Sequence, residues 1–210
     1  MIRVDDEPVI YLITKGEARP ENFQQTSREI LDIVRAAVDE RVSLIQIREK
    51  QLGGKLLFEL ATEAARITIG SSTRLLVNDR ADVAAAAKAD GVHLASNSLP
   101  VSVVRASFGR DLIIGVSTHS IEDVRLAAEQ GADFAVFGPV FETPAKGESQ
   151  GLTKLAEVCR ASPGFPVLGL GGIDETNYAS VLDAGASGFA AIRALNDPGR
   201  LSTICRDLRK

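Results

Sequence analysis

The chain has no tryptophan, one methionine, two cysteines and two histidines among 210 residues. Two cysteines, Cys159 and Cys205, cannot build a disulfide framework, and they sit far apart in helix-like segments. Two reduced thiols in a cytoplasmic protein are the expectation. So small a stock of Cys and His argues against an ordinary zinc site. No apolar run approaches the roughly 18 residues that a membrane span needs. The start, Met1 to Glu7, is acidic and lacks an apolar core, so no signal peptide is expected. Positive charge is not in excess either: 24 Lys and Arg against 28 Asp and Glu leave a net charge of −4. That excludes a general nucleic-acid binder, which needs a concentrated basic surface. It does not exclude a local cationic site for a small anion.

What is present is a regular series of short apolar runs: 9–14, 43–48, 74–78, 91–94, 112–117, 134–137, 167–170 and 188–192. They are rich in Val, Ile, Leu and Phe with little polar alternation, as in strands covered on both faces. Between them lie segments with helical spacing. Ile30, Ile33, Val34 and Ala37 share one face, as do Leu56, Leu57, Leu60, Ala61, Ala64 and Ala65. Thr26 or Ser27, Ser120 and Pro100 read as helix starts. Strand–helix alternation without a linker predicts one domain over 1–210, a (β/α)8 TIM barrel with a parallel sheet. An open doubly wound sheet is the alternative, but the first strand–helix turn, Lys15-Gly16-Glu17, lacks the glycine-rich dinucleotide signature. Turns at Ala89-Asp90-Gly91, Gly131-Ala132-Asp133 and Gly185-Ala186-Ser187 repeat one way of starting a strand.

In such a barrel the chemistry lies at the C-terminal ends of the strands. After the second run, alternation places Gln46, Arg48 and Lys50 on one side, with Ile47 and Glu49 on the other. Two cations at a barrel mouth suit a diphosphate, or else an ion-paired rim. Asn78-Asp79-Arg80 follows the third run, where Asp79 could hold Mg²⁺ or serve the next helix as a cap or ion-pair partner. His93 lies inside a strand and reads as a core histidine. His119 stands at a strand end and is the better general acid–base candidate. Ser120 beside it suits a helix cap. A long polar loop, 138–151, carries Lys146, which could fold over an anion. Gly171-Gly172 before a helix could offer backbone N–H groups to a phosphate, or form only a tight turn.

Six segments in register resemble the thiamine phosphate synthase family, which also contains the TenI-type thiazole tautomerases. They are Gln46-Ile47-Arg48-Glu49-Lys50, Val77-Asn78-Asp79-Arg80, Asp90-Gly91-Val92-His93-Leu94, Gly115-Val116-Ser117-Thr118-His119, Gly138-Pro139-Val140-Phe141 with Thr143 and Lys146, and Gly171-Gly172-Ile173. The resemblance implies an enzyme that couples hydroxymethylpyrimidine diphosphate to a thiazole phosphate and releases diphosphate. By position, Gln46, Arg48, Lys50 and Asn78 look like pyrimidine-diphosphate ligands, Asp79 like an Mg²⁺ ligand, Lys146 like a diphosphate clamp and Ser117 like a substrate contact. Thr143, Gly172, Ile192 and Arg193 fall where the thiazole phosphate would bind. The family also implies small phosphorylated substrates as partners and a homodimer.

The sequence departs from the synthase pattern at Ser98, which stands where a second metal carboxylate is usual, so metal affinity should fall. Ala145 replaces a usual threonine, and Arg193 a usual serine. The 96–98 stretch and Phe141-Glu142-Thr143 look more like the tautomerase branch, which needs neither diphosphate nor metal and would use His119 as its proton shuttle. A non-catalytic phosphate-binding relative and an unrelated phosphosugar isomerase barrel are the remaining alternatives.

Overall fold

The structure is a computed structural model that describes residues 7–143 and 149–209. Strands and helices alternate along the chain: β1 (Val9–Ile13), α1 (Phe23–Asp39), β2 (Leu44–Ile47), α2 (Gly54–Thr68), β3 (Arg74–Asn78), α3 (Ala81–Ala87), β4 (Gly91–Leu94), α4 (Val101–Phe108), β5 (Ile113–Thr118), α5 (Ile121–Glu129), β6 (Phe134–Phe137), α6 (Gly151–Ala161), β7 (Val167–Leu170), α7 (Tyr178–Asp183), β8 (Gly188–Ala191) and α8 (Pro198–Leu208). Each strand pairs in parallel with the next, and β1 pairs with β8 from Val9 opposite Gly188 to Leu12 opposite Ala191. The sheet is therefore a closed eight-stranded barrel, and the open-sheet alternative falls.

Burial on both faces explains why the runs lack polar alternation. Outward side chains such as Ile45, Ile47, Leu75 and Val77 pack with Ile30, Ile33, Val34 and Ala37 of α1 and Leu57, Leu60, Ala61 and Ala64 of α2. Inward side chains form a separate cluster that fills the barrel, including Tyr11, Leu44, Leu76, Phe134, Val136 and Leu168. Phe134 takes the centre because Gly115 beside it is bare: a Cβ there would lie 2.3 Å from the Phe134 ring.

The repeated strand starts have a structural purpose at the N-terminal end of the barrel. The Ser43 hydroxyl accepts from the Ile10 N–H (3.1 Å), the Asp90 carboxylate from Leu75 N–H (2.8 Å), and the Asp133 carboxylate from Ile114 N–H (2.8 Å). In each case the residue leading into an even strand satisfies an N–H near the start of the preceding odd strand, which would otherwise be left without a partner in the barrel wall. Asp133 also pairs with Arg105 at 2.7 Å.

Helix starts were only partly legible. Ser120 does cap α5: its hydroxyl accepts from the Asp123 N–H, and the Asp123 carboxylate accepts in return from the Ser120 N–H, both at 3.0 Å. Thr26 and Ser27 are instead inside α1, which begins at Phe23 because a single 3₁₀ turn at Pro20–Asn22 leads directly into it.

Candidate active site

Residues from seven strand ends, β2 to β8, meet at the C-terminal mouth. Gln46 stands one register step from Leu44 on the inward face of β2 and is 1% exposed. Its Nε2 has no hydrogen-bond partner among the described residues. Arg48 and Lys50 follow on the chain leaving β2, and neither makes an ion pair among the described residues. The strict alternation expected to carry both to one side ends with the strand at Ile47. Lys50 therefore shares with Ile47, Glu49, Asn78, Asp79 and Arg80 a cleft of about 280 Å³ between the ends of β2 and β3. Larger grooves of 510 and 390 Å³ run between helices on the outside and contain none of these strand-end residues.

Next around the mouth, Asn78, His93, Gly115 and Phe134 stand in register across β3 to β6. His93 is 4% exposed, and its ring sits 5.7 Å from that of Tyr11 and 6.1 Å from that of Phe134. Its Nε2 lies 2.9 Å from the Ser117 hydroxyl, while its Nδ1 and the Tyr11 hydroxyl have no partner among the described residues. Burial pushes the His93 imidazole down to about 4; the Asp79 carboxylate opposes that fall and the Arg48 guanidinium deepens it. Arg48 and Asp79, from different strand ends, thus act on one buried ring.

That burial has a consequence for stability. Unfolded, His93 takes its proton near the ordinary 6.5, whereas folded it takes it only near 4. Between those values the unfolded chain binds more protons, so stability present above 6.5 is lost as pH falls toward 4. The loss should reach about 3 kcal/mol. Urea unfolding of wild type and His93→Asn from pH 7 to pH 4.5 measures it; equal pH slopes for the two proteins would refute the assignment.

Asp79 adopts a left-handed backbone (φ 57) that turns its side chain across to the end of β4. Its Oδ1 accepts from the Ala95 N–H at 2.9 Å and from the Ser98 hydroxyl, and its Oδ2 accepts from Asn78 Nδ2 at 2.9 Å. Arg80 turns away to pair with Asp82. These donors fit a divalent cation poorly. The cleft's two carboxylates, Asp79 and Glu49, both have their oxygens engaged by protein donors, and no group of three or more His, Cys, Asp or Glu suited to a metal exists among the described residues. Ser98, standing on the carboxylate of Asp79, is the position that decides this. Ser98→Asp should raise Mn²⁺ affinity, followed by electron paramagnetic resonance, by at least about tenfold, because it places a second charge where the hydroxyl now sits. Unchanged affinity would mean that the two side chains do not share a cation position.

His119 follows β5 and is exposed at the rim. Its Nδ1 lies 2.6 Å from the Gly138 carbonyl at the end of β6, so a neutral ring donates from Nδ1 and leaves Nε2 as a base. Its backbone N–H donates to Asp123 (2.9 Å). Thr143, beyond β6, is partly buried with a hydroxyl that has no partner among the described residues. Lys146 and Ala145 lie outside the described residues.

The far side of the mouth is built from backbone. Gly171 (φ 108) and Gly172 (φ 65) turn the chain after β7 under the 139–142 segment, where a Cβ on either would approach within 2.7–2.9 Å. Val140 N–H donates to Leu170 O (2.8 Å) and Phe141 N–H to Gly171 O (3.0 Å), so the chain after β6 is laced to the chain after β7. Asn177 fixes the turn by donating to Gly172 O at 2.9 Å. After β8 the chain forms one helical turn, closed by the Asn196 N–H on Ile192 O (3.1 Å), which carries the exposed Arg193. The Thr176 hydroxyl first, and then Arg200 and Arg193, hold the Asp174 carboxyl below the usual range, so the ends of β7 and β8 are electrostatic neighbours.

The sequence reading gave no part to three side chains that shape this mouth. Tyr11 fills the barrel beneath it, Asn196 donates to Ile13 O (2.8 Å) and ties β8 to β1, and Glu49 is buried at the end of β2. A carboxylate on an otherwise apolar face was the available signal for Glu49.

A closed (β/α)8 barrel that gathers polar and charged side chains from its strand ends at one mouth has the architecture of a barrel enzyme. Comparison with known proteins gives the particular family. Residues 10–195 match the family model for thiamine monophosphate synthase. The thiamine-phosphate synthase of Roseiflexus castenholzii is 40% identical over 190 residues, 89% of this chain and 80% of that one. The thiamine-phosphate synthase of Syntrophomonas wolfei is 35% identical over 210 residues, 99% of this chain and 97% of that one. The solved structure of the thiamine phosphate pyrophosphorylase from Pyrococcus furiosus superposes with a TM-score of 0.80 at 31% identity, covering 96% of this chain and 93% of that one. The chain belongs to the thiamine monophosphate synthase family.

Proposed function

We propose that this enzyme joins hydroxymethylpyrimidine diphosphate to a thiazole phosphate, giving thiamine phosphate and diphosphate. The observation that carries this reading is the meeting of polar and charged groups at the ends of β2 and β3: Lys50, Asn78 and Asp79 line one cleft, and Arg48 and Asp79 both act on the buried His93. Arg48 and Lys50 have no ion-pair partner among the described residues, and the oxygens of a diphosphate would satisfy both; the related structure from Pyrococcus furiosus is named a pyrophosphorylase.

In this reading the C–O bond between the pyrimidine methylene and the diphosphate breaks, and the thiazole nitrogen's electron pair forms the new C–N bond. Arg48 and Lys50 meet the charge that grows on the departing oxygens. Gln46 and Ser117 hold the pyrimidine, the latter with its hydroxyl set by His93. The phosphate of the thiazole lies against Gly171, Gly172, Thr143 and the Ile192–Arg193 turn. Lys146 belongs to the proposed diphosphate contacts. Mg²⁺ dependence is carried over from the family as a proposal only, since Asp79 and Ser98 make a poor cation site. The substrates are small phosphorylated molecules; a homodimer and a cytoplasmic location belong to the same reading. No helix among the described residues is long and apolar enough to cross a membrane, and both cysteines are unpaired.

A second reading has its own observation. His119 is anchored through Nδ1 on the Gly138 carbonyl, and its Nε2 has no partner among the described residues, which supports a role as the proton shuttle that a thiazole tautomerase needs and coupling does not. One experiment separates the two. Purified protein is given both phosphorylated substrates and Mg²⁺ and scored for thiamine phosphate, and is assayed separately for thiazole isomerisation. Thiamine phosphate formation that survives His119→Ala within about threefold supports coupling. Isomerisation abolished by His119→Ala, with no coupling in wild type, supports the tautomerase.

A further inference from the structure

Glu49 is 2% exposed, so its carboxylate must be satisfied within the protein. It is, by three donors from the turn after β1: the Thr14 hydroxyl at 2.6 Å, the Gly16 N–H at 3.1 Å and the Ala18 N–H at 2.8 Å. The same Thr14 hydroxyl accepts from the Arg48 N–H at 2.8 Å. Thr14 is thus gripped between consecutive residues of the chain leaving β2. The turn that Glu49 holds also packs against Arg48: a Cβ on Gly16 would lie 3.2 Å from the Arg48 carbonyl oxygen and 3.4 Å from its Nη1. Backbone and guanidinium of Arg48 are therefore both shaped by a turn whose polar groups end on one carboxylate.

We propose that Glu49 is a positioning residue: through the 14–18 turn it fixes how Arg48 presents its guanidinium, and so sets anion affinity at the β2 end of the mouth without touching the anion. The proposal rests on the reading of Arg48 as a diphosphate ligand. It makes an electrostatically inverted expectation. Removing a negative charge near an anion site should by Coulomb's law tighten anion binding. Loss of positioning predicts the reverse.

The test is calorimetric titration of the whole chain with inorganic diphosphate and, separately, with thiazole phosphate. Glu49→Gln should weaken diphosphate binding by about tenfold, as expected for a misplaced ligand group, and leave thiazole phosphate binding within about twofold. In an Arg48→Ala background Glu49→Gln should change diphosphate binding no further, because the two act as one unit. Thr14→Val, which keeps the carboxylate and its two amide donors, should weaken diphosphate binding in the same direction, while Thr14→Ser should not; this pair decides the matter if Glu49→Gln fails to fold. Diphosphate binding that is unchanged or tighter in Glu49→Gln, or additive effects of Arg48→Ala and Glu49→Gln, would overturn the proposal alone. Wild type that binds no diphosphate would overturn the synthase reading and the proposal with it.

Discussion

Arg48→Ala should lower kcat/KM for coupling by roughly a hundred- to a thousandfold, the usual cost of removing one preorganised group from a developing charge. Its guanidinium makes no ion pair among the described residues, yet it lies close enough to His93 to add to the effect of burial, which is what chiefly keeps that ring neutral. Lys50 lines the neighbouring cleft and cannot supply the planar two-pronged contact that a guanidinium offers to phosphate oxygens. Arg48→Lys should accordingly recover part of the loss through its charge, and not all of it. The melting temperature should hold in both variants, because Arg48 is half-buried at a rim and not part of either apolar cluster. Steady-state kinetics with the diphosphate substrate varied decides the issue. A loss below about fivefold would remove Arg48 from the chemistry.

The largest stability effect should come from the barrel centre. Phe134 is fully buried, packs edge-on to Tyr11 at 5.5 Å and occupies the space that Gly115 leaves free. Phe134→Ala should cost about 3–5 kcal/mol, as aromatic truncations in closed cores do. Gly115→Ala should cost about 1–3 kcal/mol in wild type, since its methyl would drive into the ring. Combined, the two should cost less than their sum, because the ring that the methyl strikes is gone. Urea unfolding of the four proteins tests this. Strict additivity would mean that Gly115 is not bare on account of Phe134.

Much of the barrel could be read before any coordinates. Strands buried on both faces leave uninterrupted apolar runs, and the eight runs match the eight strands to within a residue or two at each end. The strand-end rule also located Arg48, Asn78, Asp79, Ser117 and His119 at the ends of β2, β3 and β5, because a parallel barrel gathers all such ends at one mouth. What escaped the sequence depends on contacts across the sheet. Alternation says which side Glu49 takes, but not that the 14–18 turn will supply three donors there. Ser98 was legible as a missing charge, while its hydroxyl on Asp79 required the left-handed turn at Asp79 and the register of β3 against β4. Alternation could not carry Lys50 into its cleft with Asn78 and Asp79, because a period of two holds only while the chain stays extended and β2 ends at Ile47. Thr26 and Ser27 are good caps by type, but the preceding 3₁₀ turn had already started the helix.

The tethers made by Ser43, Asp90 and Asp133 each bind an odd strand to the even strand that follows it. The wall is therefore stitched in couples, β1 with β2, β3 with β4 and β5 with β6. A gene divided between couples, for instance ahead of β5, would leave every stitch inside one fragment, whereas a cut between β3 and β4 would sever one. Two separately expressed halves should reassemble more readily from the first division than from the second.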